Sequence, residues 1–422
     1  MRNAAVAALA AAAGLLVEAS PALATNGYFA HGYGTRYKGM AGAGVALHLD
    51  SLAPATNPAA TAFLAPRFDV SLSVFNPNRS YTVTGSPSGY PGTFGLTPGR
   101  VESDSRYFPV PALGASWRAG ENGCFGLAFY GNGGMNTDWP TATFYAGAPT
   151  GVNLSQLFVA PTYAVRLGGR HALGLTAIGA MQWFKIDGVA SFAPFSSAPA
   201  ALSGNGNSYG LGAGARVGYL GEWSRHLSVG ASYQTKVWMS DFEDYAGLFA
   251  EQGGFDIPAN WAAGVAVKPS ESLDVAVDVQ RVLYSGVASV GNPLLPNLMQ
   301  ATLGSGSGAG FGWKDMTTVK AGAQLRAAGG WTWRAGYSYG RQPIRRSEVL
   351  FNLLAPGVVE QHVTVGFSKL IRATQEISLA IMRAFPHSVS GANPLEVPGL
   401  QSIELKMDQW DFELSWSFRI RK

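Results

Sequence analysis

LSVGASYQTKVWM, Leu227 to Met239, decides what kind of chain this is. Leu227, Val229, Ala231, Tyr233, Val237 and Met239 fall on odd positions, and Ser228, Gly230, Ser232, Gln234 and Lys236 on even ones. A period of two with one apolar face is the mark of a strand whose two sides meet different surroundings. The split recurs in Leu273, Val275, Val277 and Val279 against Asp274, Asp278 and Gln280. It recurs again in Tyr209, Leu211, Ala213, Val217 and Tyr219 against Ser208, Gly210, Gly212, Gly214 and Arg216. The polar side carries glycine and isolated charge, not a dense charged surface.

Outward from that stretch, the connections alternate in length. Short ones at 118–123, 168–170, 221–225, 269–271, 327–330 and 372–373 are interleaved with long ones around 85–99, 132–152, 192–206, 240–256, 287–312, 343–357 and 387–400. Tight turns at one end and long loops at the other are the asymmetry of a bacterial outer-membrane barrel. Fourteen strands are predicted: 67–84, 100–117, 124–131, 153–167, 171–191, 207–220, 226–239, 257–268, 272–286, 313–326, 331–342, 358–371, 374–386 and 401–420. The expected fold is therefore all-β, a 14-stranded antiparallel transmembrane barrel. Only 13% of the residues are charged, 12% are aromatic and 54 are glycine, well short of the roughly one-quarter charged residues of a soluble domain. The net charge of +4 is too small to argue for nucleic acid. Beyond the leader, no apolar run reaches the ~18 residues of a spanning helix. A soluble sandwich is disfavoured because these strands exceed the usual length of about 5–6 residues. Trp117, Trp183, Trp223, Trp238, Trp261, Trp313, Trp331, Trp333 and Trp416, near strand ends, read as interfacial girdles. The single cysteine, Cys124, permits no disulfide framework. In the last strand Ile403, Leu405 and Met407 are odd whereas Trp410, Phe412, Leu414 and Trp416 are even, which predicts a bulge near Asp408 and Gln409.

Before the strands come two other segments. Residues 1–24 have one early arginine, an apolar run from Ala4 to Val17 and small residues at Ala22-Leu23-Ala24, the layout of a cleaved signal peptide. Residues 25–66 are glycine-rich without a sustained period and read as a compact plug, ahead of a barrel over 67–422. Within them Asn26-Gly27-Tyr28, Gly32-Tyr33-Gly34, Lys38-Gly39-Met40-Ala41-Gly42-Ala43-Gly44-Val45-Ala46 and Asn57-Pro58-Ala59 resemble the N-terminal hatch of the FadL family of outer-membrane hydrophobic-compound transporters. The resemblance implies capture of a long-chain fatty acid or another hydrophobic compound by extracellular loops, a pocket beside the hatch, and sideways exit where the third strand kinks. Gly131, Asn132, Gly133 and Gly134 stand where that gap belongs, and this run is expected to hold a poor ladder. Asn57, Pro58 and Ala59 are expected to form a rigid hatch turn whose Asn side chain bonds hatch or wall backbone. The partners implied are a fatty acid, alkane or aromatic hydrocarbon and the surrounding lipid and lipopolysaccharide, with the protein a monomer in the outer membrane.

Parity points Lys236, Trp238 and Lys320 into the lumen, where a lysine either pairs with Asp69, Asp274 or Asp278 or holds a substrate carboxylate. Gly336-Tyr337-Ser338-Tyr339-Gly340 matches a nucleophile elbow, but it sits inside a strand rather than at a strand–turn–helix corner. The six histidines show no metal-ligand spacing, and no cofactor is expected. A general or narrow-specificity porin and an outer-membrane lipid-modifying enzyme remain as alternative functions.

Overall fold

The computed structural model describes residues 26–420; the leader expected over 1–24 lies outside them. Sixteen strand segments follow the hatch. They are β1 (Arg67–Thr84), β2 (Gly99–Glu102), β3 (Phe108–Ala119), β4 (Gly123–Asp138), β5 (Gly151–Leu167), β6 (His171–Asp187), β7 (Ser208–Glu222) and β8 (Leu227–Gln234). Then come β9 (Trp238–Met239), β10 (Asn260–Ser270), β11 (Leu273–Val282), β12 (Met316–Ala327), β13 (Trp331–Gly340), β14 (Gln361–Arg372), β15 (Gln375–Ala392) and β16 (Ser402–Arg419). All pairings are antiparallel, and β16 returns onto β1 from Arg67↔Arg419 to Thr84↔Ser402, so the sheet closes. Because β2 and β3 share the edge of β1, and β8 and β9 share the edge of β7, the segments make fourteen staves. No helix among the described residues is long and apolar enough to cross a membrane; the strands do the crossing.

The break between β8 and β9 overturns the parity reading beyond Gln234. Arg216 faces Gln234 and Ala213 faces Trp238, so the β8–β9 side carries one extra residue. A slip of one residue sends every later side chain to the other face. Val237 accordingly points inward and is 0% exposed, while Trp238 is 59% exposed on the outer wall.

No such slip occurs in the last strand. β16 holds one register against β1 throughout, and the bulge expected near Asp408 and Gln409 is absent; the irregularity at this seam lies on β15, between Ala384 and His387. What changes is the surroundings. In the lower wall the outward residues Val70, Leu72, Val74, Phe412, Leu414 and Trp416 are exposed and apolar, while Ser71, Ser73, Asp411, Glu413 and Ser415 face a polar interior. Higher up the same parity turns Tyr81, Val83, Ile403, Leu405 and Met407 inward and buried, leaving Thr82, Glu404, Lys406 and Asp408 toward the outside. The upper lumen is filled by loop residues such as Trp139, Phe144, Phe242, Tyr245 and Tyr284, forming one hydrophobic core with those strand residues. Polar residues face outward there because the hydrocarbon band is only about 25 Å tall and ends below them. Trp313, assigned to the girdles from the sequence, belongs to this core, because strand β12 begins only at Met316.

Candidate functional site

Residues 26–64 fold inside the lower barrel, and nearly all are buried. The glycines on the polar face of the strands let the backbone of this segment lie against the wall: a Cβ on Gly230 would come within 2.2 Å of the Val45 carbonyl oxygen, and one on Gly336 within 2.3 Å of the Met40 carbonyl carbon. These positions are covered, so they do not form a groove for an acyl chain. Asn57 is extended (φ −147°, ψ 109°) and caps a 3-10 turn, Pro58–Phe63. Its Oδ1 accepts from the Ala59 N–H at 3.1 Å, and its Nδ2 donates to the carbonyls of Val45 in the hatch and Tyr219 in β7, each at 2.8 Å. One buried amide thus joins plug to wall.

Charge completes the seating. Arg36 pairs with Glu376 of β15, and Lys38 Nζ lies 2.7 Å from both Asp411 and Glu413 of β16. In return the wall carboxylate of Asp278 accepts the N–H groups of Gly44 (2.6 Å) and Val45 (2.9 Å). Asp50, a hatch residue, accepts from the Leu52 N–H at 3.0 Å. Burial, reinforced by the nearby Asp69 charge and opposed by Arg36 and Arg67, lifts its pKa well above the usual carboxylate range. A raised carboxyl pKa means that the folded state holds the proton more tightly; the stabilisation is full in acid and is lost as pH rises through the raised value. Asp50→Asn should therefore raise the thermal transition, read by heat-modified gel mobility, by several degrees at about pH 8 and hardly at all at about pH 4. An equal shift at both values would contradict this account.

Beside the hatch the wall is interrupted. β3 pairs with β4 only from Ala119↔Gly123 to Leu113↔Phe129. Above Phe129, β4 stays on β5 as far as Asp138↔Gly151, with Asn132 the extra residue between Gly131 and Gly133. The expectation of a poor ladder along Gly131–Gly134 is thus corrected for one edge of the strand. The other edge turns to the hatch: Gly133 bridges Phe29, Gly134 N–H donates to the Tyr28 carbonyl at 3.0 Å, and Ala30 N–H donates to the Asn132 carbonyl at 3.1 Å. Staves two and three meet again at Asp138, whose carbonyl accepts the Asp104 N–H at 2.9 Å and whose N–H donates to Ser103 Oγ at 3.0 Å. Between Phe129 and Asp138 a window is left. Arg79 of β1 reaches into it, donating to the carbonyls of Asn136 on β4 and Ser105 in the break between β2 and β3, with its guanidinium 5.6 Å from the ring centre of Phe108.

Two apolar cavities lie inside the barrel, the lower one beside the window. The upper one, about 530 Å³ under the loops, is lined by Phe184, Val189, Phe192, Phe249, Phe311, Leu354 and similar residues, with Ser289 its single polar side chain and no charge. The lower one, about 260 Å³, lies between Gly27 and Tyr28 of the hatch, Met135 and Asn136 of β4, Arg79, Trp313 and Met407. A strip of chain separates them: Leu354 borders the upper cavity and Ala355 to Gly357 the lower. The top of β4 holds that strip, through Trp139 Nε1 on the Leu353 carbonyl (3.0 Å) and Thr137 Oγ1 on the Leu354 carbonyl (2.9 Å).

This arrangement of plug, closed barrel and window has counterparts. The family described as outer membrane protein transport protein (OMPP1/FadL/TodX) matches residues 15–368. The chain belongs to this family. As the family's description states, it is an outer-membrane transport protein. Among solved structures it is similar to the Pseudomonas putida toluene transporter TodX, at 17% identity and a TM-score of 0.69, with 93% of this chain and 99% of that one covered. It is similar also to a Pseudomonas aeruginosa FadL homologue (16% identity, TM-score 0.69, 94% and 100% covered) and to the Ralstonia pickettii toluene transporter TbuX (17%, 0.62, 93% and 99%). Identities this low establish a shared fold. No curated protein sequence matches the chain.

Within this OMPP1/FadL/TodX-type barrel the residues singled out from the sequence separate. Lys236 and Trp238 do not share a lumen face: the extra residue after Gln234 turns Trp238 outward, and Lys236 pairs with Asp256 at 3.2 Å. Lys320 does point inward, but its Nζ donates to the His31 carbonyl at 2.9 Å and so ties the hatch to the wall. Ser338 is a buried residue of β13 whose hydroxyl lies 3.2 Å from His362 Nδ1; Nε2 of that ring has no hydrogen-bond partner among the described residues, so no carboxylate orients it as a triad would need. The sequence reading missed Lys38, the aromatic loop cavity and Arg79. The only local signal for Arg79 was an arginine at an inward position of β1.

Proposed function

We propose that this barrel takes up long-chain fatty acids or related hydrophobic compounds from outside the cell, without catalysing a reaction on them. The loops capture the apolar part in the aromatic cavity, the solute passes the Leu354–Pro356 strip to the cavity beside Tyr28, and it leaves sideways through the window along Gly131, Asn132, Gly133 and Gly134. The single observation that carries this reading is the charge-free cavity lined with phenylalanine and placed above the wall gap. Lateral exit fits the chemistry, since each methylene kept out of water is worth about 0.8 kcal/mol, and an exit through periplasmic water forfeits that. Residues 25–66 act as the hatch that blocks the straight path, with Asn57, Pro58 and Ala59 as its fixed turn. The barrel works as a monomer among outer-membrane lipid and lipopolysaccharide.

Ala309→Trp, which fills the loop cavity, should lower cellular uptake of both dodecanoate and toluene several-fold at equal amounts of heat-modifiable barrel. Undiminished uptake of both would overturn the loop-capture step. Steady open-channel current from the wild-type barrel in a planar bilayer would favour a porin instead.

A further inference from the structure

Arg79 borders two cavities at once. One is the apolar lumen cavity with Tyr28, Met135, Trp313 and Met407; the other is a groove of about 340 Å³ bordered by Asn78, Arg100, Glu102, Arg106, Lys406 and Asp408, residues of the outer face above the apolar wall band. The residue is buried, at 5% exposure, and its guanidinium stands where staves two and three are not laddered. Its acceptors are two main-chain carbonyls, and its Nε has no hydrogen-bond partner among the described residues. Arg36, Arg67 and Arg383 each have a carboxylate. The exposed Asp138 carboxylate acts on it from a distance without bonding to it, so a desolvated guanidinium hydrogen-bonded only to neutral dipoles keeps much of its attraction for an anion. Its planar fork matches a carboxylate, which accepts two parallel charge-assisted hydrogen bonds.

We propose that Arg79 is a carboxylate-binding site in the wall window, which takes the head group of an amphiphilic monocarboxylate whose apolar tail lies in the Tyr28–Trp313 cavity. This rests on the lateral route proposed above and names the charged class of solute that the route favours. The carboxylate displaces the Ser105 and Asn136 carbonyls from the guanidinium, so the ligand loosens the one side chain that spans the window. In the outer groove Arg100 and Arg106 are paired with Glu102, and Lys406 faces the departing anion. Lys236 and Lys320, the lysines that the strand pattern offered for this role, are engaged by Asp256 and by the His31 carbonyl.

The test uses the full barrel in lipid nanodiscs and two probes of equal length, ω-bromododecanoate and ω-bromododecanol, at about pH 8, where the acid is ionised. Bromine quenches a neighbouring indole, so the readout is the quenching that disappears in Trp313→Phe. The wild type should bind the acid about tenfold more tightly than the alcohol, the scale of a charge-assisted hydrogen bond. Arg79→Gln should abolish that preference and leave the alcohol's affinity unchanged, and Arg79→Lys should keep part of it. A wild type without preference, a preference that survives in Arg79→Gln, or equal loss for both probes would each overturn the assignment, the last marking Arg79 as a strut. If Arg79→Gln does not fold, the comparison of wild type with Arg79→Lys decides. Failure of the transport reading looks different: wild-type cells then take up neither dodecanoate nor toluene, whatever the probes show.

Discussion

Lys38→Met should destabilise the seated hatch by about 3–5 kcal/mol, the usual penalty for removing one partner of a buried ion pair. Its ammonium serves two carboxylates, Asp411 and Glu413, both nearly inaccessible to water, and also donates to Ser73 at 3.2 Å. Without it two negative charges share a dry site with no counter-ion. The visible result should be a barrel that still runs as a heat-modifiable species but lets large antibiotics cross the outer membrane. Adding Asp411→Asn and Glu413→Gln to Lys38→Met should recover most of the tightness, because a neutral, hydrogen-bonded site costs far less than an unpaired one. A Lys38→Met strain as antibiotic-tight as its parent would show that the pair does not hold the plug.

Gly133→Val should abolish most uptake while sparing the barrel. A Cβ at Gly133 would fall 1.8 Å from the Tyr28 carbonyl oxygen, and that atom is main chain, so no rotamer change relieves the overlap. The bridge from Phe29 to Gly133 and the bond from Gly134 N–H to Tyr28 must give way, and with them the floor of the lower cavity. The ladder from β4 to β5 needs none of these contacts, so insertion should persist. From the sequence alone, valine at Gly133 and Gly134 is expected to straighten the strand and close the gap. The structure replaces that expectation: the substitution acts first on the hatch. Uptake of toluene and dodecanoate in a correctly inserted Gly133→Val strain measures the effect, and parental uptake would remove this contact from the path.

How far the sequence could be read depended on how local the cause was. Asn57 was legible because its geometry comes from its own neighbour: proline forces the preceding residue extended and opens the turn that the Asn side chain caps. The staves were legible because alternation is a local property, but parity can be carried only as far as the next bulge. Trp238 was lost to the single extra residue after Gln234. Ile403, Leu405 and Met407 were misread for another reason. An apolar residue signals that one side is dry, not which side, and above the hydrocarbon band the dry side is the lumen. Arg79 left the weakest trace, since its acceptors are main-chain carbonyls 26 and 57 residues away, and carbonyls carry no sequence signal.

The hatch precedes every strand in the chain, yet Lys38 is anchored 373 residues later, Thr35 378 residues later on Glu413, and Arg36 340 residues later on Glu376. These receiving carboxylates lie on β15 and β16, and β16 is the strand that closes the cylinder against β1. Contacts of such separation are among the last a chain can form, because the intervening loop must be closed first. Seating the plug and sealing the seam are thereby made a single late event. During biogenesis the hatch cations Arg36 and Lys38 have no carboxylate to seat on until the last two strands arrive. A lesion in those anchors should then register as a lag between membrane insertion and the compact, heat-modifiable form, a delay that pulse-labelled cells would display even where the finished protein looks normal.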